Sequence, residues 1–122
     1  MAFTFSEYQK LSKRTAIYPK HSDDVVFSYL CLGLCGESGE IAEKVKKFIR
    51  DHGGVGGRAG EPWRLTKNER EALMLELGDV MWYIGQLSTE LGVELSEVAS
   101  ANLKKLLSRK RRGKIHGSGD GR

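Results

Sequence analysis

The sequence predicts an all-α protein, a four-helix bundle that is completed by oligomerisation. Three observations favour this fold class. Apolar residues recur at helical spacing in four separate segments. Capping residues precede several of these segments, and no segment alternates with period two for long enough to form a strand. A chain of 122 residues is long enough for one domain with one core, but it leaves much apolar surface for a second copy to cover.

The first two helices are bounded by proline, acids and glycines. A short helix is expected from Phe3 to about Ala16, because Pro19 prevents its continuation. A long second helix is expected from Val25 to about Asp51. It follows Ser22-Asp23-Asp24, a favourable start, and Gly53-Gly54 then provides a stop.

The third and fourth helices follow a glycine-rich segment. Residues 53–65 are predicted to form a loop, with five glycines between positions 53 and 60. Thr66 and Glu69 form a capping-box pattern that opens a helix from about Lys67 to Leu91. The last helix is expected from about Ser96 to Arg111. The predicted core stripe of the third helix comprises Leu73, Leu77, Val80, Ile84, Leu87 and Leu91.

Composition and charge exclude several classes of protein. No apolar run approaches 18 residues, and the first residues lack the pattern of a signal peptide, so neither a membrane span nor export is expected. Cys31 and Cys35 have no metal-type spacing, which is typical of core thiols in a reduced, cytoplasmic protein. The chain has a net charge of +4, yet eight Lys/Arg and one acid lie from Lys104 onward, which leaves residues 1–103 acidic.

Two acidic motifs carry the chemistry. Glu37 and Glu40 are three residues apart on the second helix, and Glu76 and Asp79 are three residues apart on the third. This spacing puts each pair on one helical face, so antiparallel packing would bring four carboxylates to one groove. Unpaired, they would repel and raise each other's pKa values. A hard divalent cation relieves the repulsion, and Mg²⁺ is the natural choice, with Mn²⁺ as a substitute.

Glycines flank these acids inside the helices. Gly36, Gly39 and Gly78 each adjoin a motif carboxylate, where each costs roughly 1 kcal/mol relative to alanine. This cost predicts a close approach of backbone or ligand at these positions. The alternative is that the acids are ordinary surface residues and the glycines serve packing.

The segments GLCGESGEIAEKVKKF and LELGDVMWYI resemble the MazG-like all-α nucleoside triphosphate pyrophosphohydrolases over roughly residues 25–110. The resemblance implies Mg²⁺-dependent hydrolysis of (deoxy)nucleoside triphosphates to monophosphate and pyrophosphate, for pool control or house-cleaning. It also implies a homodimer or homotetramer, and no membrane or nucleic-acid partner is expected. The implied Mg²⁺ ligands are Glu37, Glu40, Glu76 and Asp79. The implied substrate-binding residues are Lys44, Tyr83, Asn102, Lys105 and Arg109.

Several interpretations remain open alongside this one. Glu37 or Glu40 is expected to act as the general base. A noncatalytic helical module that binds nucleic acid through its basic C-terminal segment is the alternative function. A di-iron or manganese bundle is disfavoured, because no Glu-x-x-His pair occurs. Residues 1–112 are assigned to the helical domain, and residues 113–122 to a flexible, glycine-rich basic tail that is either a solvated segment or a lid over the triphosphate.

Overall fold

The structure, a computed structural model, describes residues 2–20, 22–52 and 65–121. Within those ranges there are four α-helices, one short 3₁₀ turn (Lys13–Thr15) and no strands, which confirms the all-α prediction. The predicted loop 53–65, apart from its last residue, lies outside the described residues. The helices are α1 (Phe5–Ser12), α2 (Asp23–His52), α3 (Lys67–Glu90) and α4 (Leu95–Arg111).

Capping boxes with a threonine at the N-cap open two of these helices. The Thr4 hydroxyl accepts a hydrogen bond from the Glu7 amide at 3.2 Å, and the Glu7 carboxylate accepts one from the Thr4 amide at 2.8 Å. Thr66 and Glu69 make the same reciprocal pair at 3.2 and 2.8 Å, as their spacing predicts. Each box satisfies two groups that a helix start would otherwise leave unpaired.

Helices α2 and α3 form an antiparallel hairpin, which is the main packing unit of the chain. Gly33 lies against Tyr83, Lys44 pairs with Glu76, and His52 contacts Glu69. The partner's number falls along α3 as the residue number rises along α2, so the two helices run in opposite directions. This is the arrangement that the two acidic motifs require to face one groove.

The core lies between the start of this hairpin and the segment that follows α1. Its buried apolar residues are Tyr18, Val26 and Leu30, with Trp82 and Leu87 among those packed against them. Both polar tips are satisfied: the Tyr18 hydroxyl donates to the Glu90 carboxylate at 2.7 Å, and the Trp82 indole N–H donates to the Thr15 hydroxyl at 2.7 Å. Trp82 is therefore a packing residue in this chain.

The buried side chain of Gln9 joins α1 to the turn between α3 and α4. The Gln9 amide nitrogen donates to the Thr89 hydroxyl at 3.2 Å and to the Val93 carbonyl at 3.0 Å. Its amide oxygen accepts from the Leu95 backbone N–H at 2.7 Å. The turn itself bends at Gly92, whose φ of 71° is one that other residues rarely adopt.

Two predictions about the core are wrong. Cys31 and Cys35 are both exposed rather than buried. At 100° per residue each lies about 160° around α2 from Gly33, which faces α3, so neither thiol can reach the hairpin interface. Three residues of the predicted α3 stripe are exposed, because nothing in the described chain covers that side of α3: Leu77 at 57%, Ile84 at 36% and Leu91 at 63%.

Helix α2 also differs from expectation in its hydropathy. It is long and apolar enough to cross a membrane by length and composition, although no such segment is expected from its apolar runs. A single helix of this kind is weak support for a membrane span, because core helices of many proteins meet the same test. The helix also carries Glu37 and Glu40, whose charges are costly in hydrocarbon.

Candidate metal centre

Three of the four predicted acids converge across the α2–α3 hairpin. Glu37 of α2 and Glu76 and Asp79 of α3 each offer one carboxylate oxygen, and these three oxygens lie within 4.8 Å of one another. The i,i+3 spacing of Glu76 and Asp79 and the antiparallel register together produce this cluster. The arrangement concentrates negative charge in a partly buried groove.

The negative charge in the groove affects the pKa of Glu37. Desolvation and the nearby charges of Asp79, Glu76 and Glu40 raise the pKa of the Glu37 carboxyl above its ordinary value. Glu40 is exposed and lies outside the group of three converging acids, but its charge still acts on Glu37. The structure therefore brings three predicted ligands together and leaves the fourth at the edge of the groove.

Lys44, one of the implied substrate-binding residues, lies beside the cluster. Its ammonium nitrogen is 3.1 Å from Oε1 of Glu76. Both side chains are only partly exposed, at 33% and 16%, so the pair is less screened by water than a surface ion pair. Lys44 supplies the positive charge that partly balances the three acids.

Two tyrosines border the cluster, and the sequence interpretation singled out one of them. Burial is the main cause that raises the Tyr83 pKa, and Glu37 and Asp79 add to it, so its hydroxyl lies within the field of the acids. Tyr8 of α1 also has a raised pKa, from burial and then from Asp79. The sequence does not single out Tyr8 as a site residue, because no spacing along α1 relates it to a motif on α3.

The three glycines beside the acids do not serve close packing. A Cβ on Gly36, Gly39 or Gly78 would meet nothing within 4 Å, so the predicted backbone approach is absent at these positions in the described chain. Gly33 is different, because its Cβ would lie 2.1 Å from Cε1 of Tyr83. The space beside three of the motif acids is open and leaves room for a ligand or another subunit.

Two of the three predicted substrate-binding residues of α4 pair with the C-terminal tail. Asn102 is exposed. In the described part of the chain, the side-chain ion pairs of Lys105 and Arg109 are made with Asp120 of the C-terminal tail rather than with groups on α2 or α3. The structure thus does not join these two cations to the acid cluster within one chain.

Comparisons with known proteins support a single family. A model of the MazG nucleotide pyrophosphohydrolase domain matches residues 27–113, a range that contains the acid cluster, Lys44 and Tyr83. Gene 37 protein of Mycobacterium phage L5 is 51% identical over 118 residues, which cover 94% of this chain and 96% of that protein. The name of that protein states no activity. No solved structure matches the chain.

Proposed function

We propose that this chain, which belongs to the MazG nucleotide pyrophosphohydrolase family, hydrolyses nucleoside triphosphates to the monophosphate and pyrophosphate with the help of a divalent cation. The observation that carries the proposal is the convergence of Glu37, Glu76 and Asp79 inside the matched segment. A triphosphate carries several negative charges and cannot approach such a groove unless a cation neutralises it.

The donor set fits Mg²⁺. All three groups are carboxylates, the hard oxygen ligands that Mg²⁺ prefers, and the three oxygens lie within 4.8 Å of one another. The raised Glu37 pKa and the Lys44–Glu76 pair are further signs that the groove favours a positive charge. When bound, the cation would orient the phosphates and lower the pKa of a water molecule.

The other acid and the lysine have complementary proposed roles. Glu40, exposed and outside the converging three, would accept the proton of the attacking water at its carboxylate, with Glu37 as the second candidate. Lys44 would hold a phosphate oxygen, since the cation would take over its contact with Glu76. The remaining proposed substrate contacts are Tyr83, Asn102, Lys105 and Arg109.

We propose a homo-oligomer as the working form, a dimer or a tetramer in the cytoplasm that serves pool control or house-cleaning. In the described residues, the buried apolar side chains are Tyr18, Val26, Leu30 and Leu95. Large apolar side chains of α3 and α4 remain exposed, and such patches mark interaction sites. A second copy would cover this surface and could bring the α4 cations of one chain to the acids of the other.

The test is pyrophosphate release from a panel of canonical and modified (d)NTPs, with Mg²⁺ and then Mn²⁺. We expect Glu76→Gln, Asp79→Asn and Glu40→Gln each to lower kcat by about 10²-fold or more. Glu71→Gln is the matched control, because Glu71 is an exposed acid of α3 that pairs with Lys67 at 3.9 Å. Its activity should equal that of the wild type. Absence of pyrophosphate from every nucleotide, or a fully active Glu76→Gln, would contradict the proposal.

A further inference from the structure

The C-terminal tail folds back onto α4, where Asp120 pairs with Lys105 and Arg109. Oδ1 of Asp120 accepts a hydrogen bond from Nη2 of Arg109 at 3.0 Å and from Nζ of Lys105 at 3.1 Å. Nη2 of Arg109 also donates to the backbone carbonyls of Gly119 and Asp120, at 3.3 and 3.2 Å. The residues that were predicted to face phosphate are thus covered by an internal carboxylate.

Glycines allow the tail to reverse direction and run back along α4. Gly113, Gly117 and Gly119 have φ values of 64°, 133° and 79°, a range that other residues rarely adopt. Backbone bonds continue the turn, with the Lys114 amide donating to the Arg109 carbonyl at 2.8 Å. The sequence interpretation of a flexible tail does not anticipate this contact.

The Asp120 carboxylate satisfies only some of the hydrogen-bond donors of Arg109. Arg109 is 3% exposed, and its Nε is buried without a hydrogen-bond partner among the described residues. Asp120 uses one oxygen, Oδ1, for both Lys105 and Arg109. A phosphate group has several oxygens and could accept from Nε and Nη2 of the guanidinium together while also reaching Lys105. The donor pattern suits a phosphate oxyanion better than the single carboxylate oxygen it holds.

We propose that Lys105 and Arg109 form a phosphate-binding site that the carboxylate of Asp120 occupies in the free protein, so that the tail competes with the triphosphate. The proposal rests on the proposed function for the identity of the phosphate group, and it assigns the tail an autoinhibitory role. If the site is open in only a fraction of the molecules, the apparent affinity for phosphate falls by that fraction.

The contact is suited to displacement. Asp120 is 86% exposed, so its side of the ion pair with the buried Arg109 is open to solvent, and a ligand of higher charge can replace it. The neighbouring Arg109 and Lys105 hold the pKa of the Asp120 carboxyl below its ordinary value, so the competing group is charged at neutral pH. A lid would have the opposite effect, because a lid strengthens binding of the substrate that it covers.

The experiment compares Asp120→Asn with Asp120→Glu, which keeps the charge, and with Glu71→Gln as a control for the change in net charge. Calorimetry at low salt gives the affinity for inorganic tripolyphosphate, and pyrophosphate release gives KM and kcat. We expect Asp120→Asn to bind tripolyphosphate about two- to fivefold more tightly and to lower KM equally, with kcat unchanged. The other two variants should match the wild type. Adding Asp120→Asn to a background that carries both Lys105→Ala and Arg109→Ala should change nothing, because both partners of its carboxylate are already lost.

Other outcomes separate this proposal from the proposed function. Unchanged or weaker tripolyphosphate binding by Asp120→Asn would overturn the competition, and weaker binding with a higher KM would identify the tail as a lid. If Asp120→Asn binds tripolyphosphate more tightly but no variant hydrolyses any nucleotide, the competition is supported and the proposed function fails. Normal hydrolysis with an unaltered KM in Asp120→Asn would support the function and contradict the competition.

Discussion

Gly33 and Gly36 are one helical turn apart in α2 but have different surroundings. A Cβ on Gly33 would lie 2.1 Å from the ring of Tyr83, whereas one on Gly36 would meet nothing within 4 Å. Gly33→Ala forces the Tyr83 ring, which packs on Trp82 at 5.0 Å, out of place. We expect it to lower the free energy of unfolding by about 1–3 kcal/mol, as measured by urea denaturation.

Gly36→Ala is the matched control for that change. It adds the same methyl group to the same helix without a clash, and the better helix propensity of alanine should stabilise the chain by up to about 1 kcal/mol. Equal effects at both positions would show that the Gly33–Tyr83 contact is not tight in solution.

The Glu37 carboxyl makes stability depend on pH in a defined direction. Its pKa is raised in the folded state, so the folded protein binds more protons than the unfolded chain between the ordinary pKa of 4.5 and the raised value. Without a divalent cation, stability should therefore rise as pH falls through that window. Glu37→Gln should be more stable than the wild type at pH 7, by less than about 1 kcal/mol, and the difference should vanish below pH 4.5.

Thermal unfolding curves with and without Mg²⁺ measure this effect. Added Mg²⁺ should stabilise the wild type by binding the folded state, while Glu37→Gln should respond much less. A Glu37→Gln protein that is less stable than the wild type in the absence of metal would contradict the assigned repulsion.

The capping box at the start of α3 sets the position of the helix that carries two of the converging acids. Thr66→Ala removes the hydroxyl that accepts from the Glu69 amide, so we expect a loss of about 1 kcal/mol in the free energy of unfolding. Ser100→Ala, an exposed hydroxyl removed from the middle of α4, should leave stability nearly unchanged. Denaturant titration of the two variants makes the comparison, and equal stabilities would exclude the cap as a stabilising feature.

Helix bounds were predictable because caps, proline and glycine act locally. Thr66, Gly92 and the acids at the start of α2 each act within a turn of their own position, and the four predicted helices agree with the structure to within a few residues. Which faces are covered was less predictable. The exposed Cys31 and Leu77 lie on apolar segments, and periodicity does not reveal how many neighbours a helix has.

Some contacts of the candidate site could also be predicted from the sequence, and others could not. The convergence of Glu37, Glu76 and Asp79 follows from their spacing once two long helices pack antiparallel, so it could be predicted from the chain alone. The pairing of Arg109 with Asp120 depends on a reversal through glycines, which leaves no periodic signal. The position of Tyr8 near Asp79 likewise depends on the tertiary packing of α1 against α3.

At the scale of the whole molecule, the described residues expose apolar surface that they do not cover themselves. On α4, Leu103 and Leu107 are 59% and 58% exposed, and on α3, Leu75 is 66% exposed. A second copy would bury such surface in a symmetric interface. We expect Leu103→Glu to shift sedimentation toward the monomer and to lower activity.

Ala101→Glu provides the control for that interface. It adds the same charge about 160° around α4 from Leu103, so it should not change the sedimentation coefficient if the leucine face alone mediates assembly. A monomeric wild-type protein with full activity would contradict the proposed oligomer.

The buried side chain of Gln9 has a consequence for the order of folding during synthesis. Its bond to the Leu95 amide spans 86 residues, and an eight-residue helix such as α1 is not stable alone in water. At about 5–20 residues per second, the ribosome takes roughly 4–17 s to add those 86 residues. The hairpin that carries the acids can therefore form first, and the bond that fastens Gln9 to α4 forms only when the start of α4 emerges.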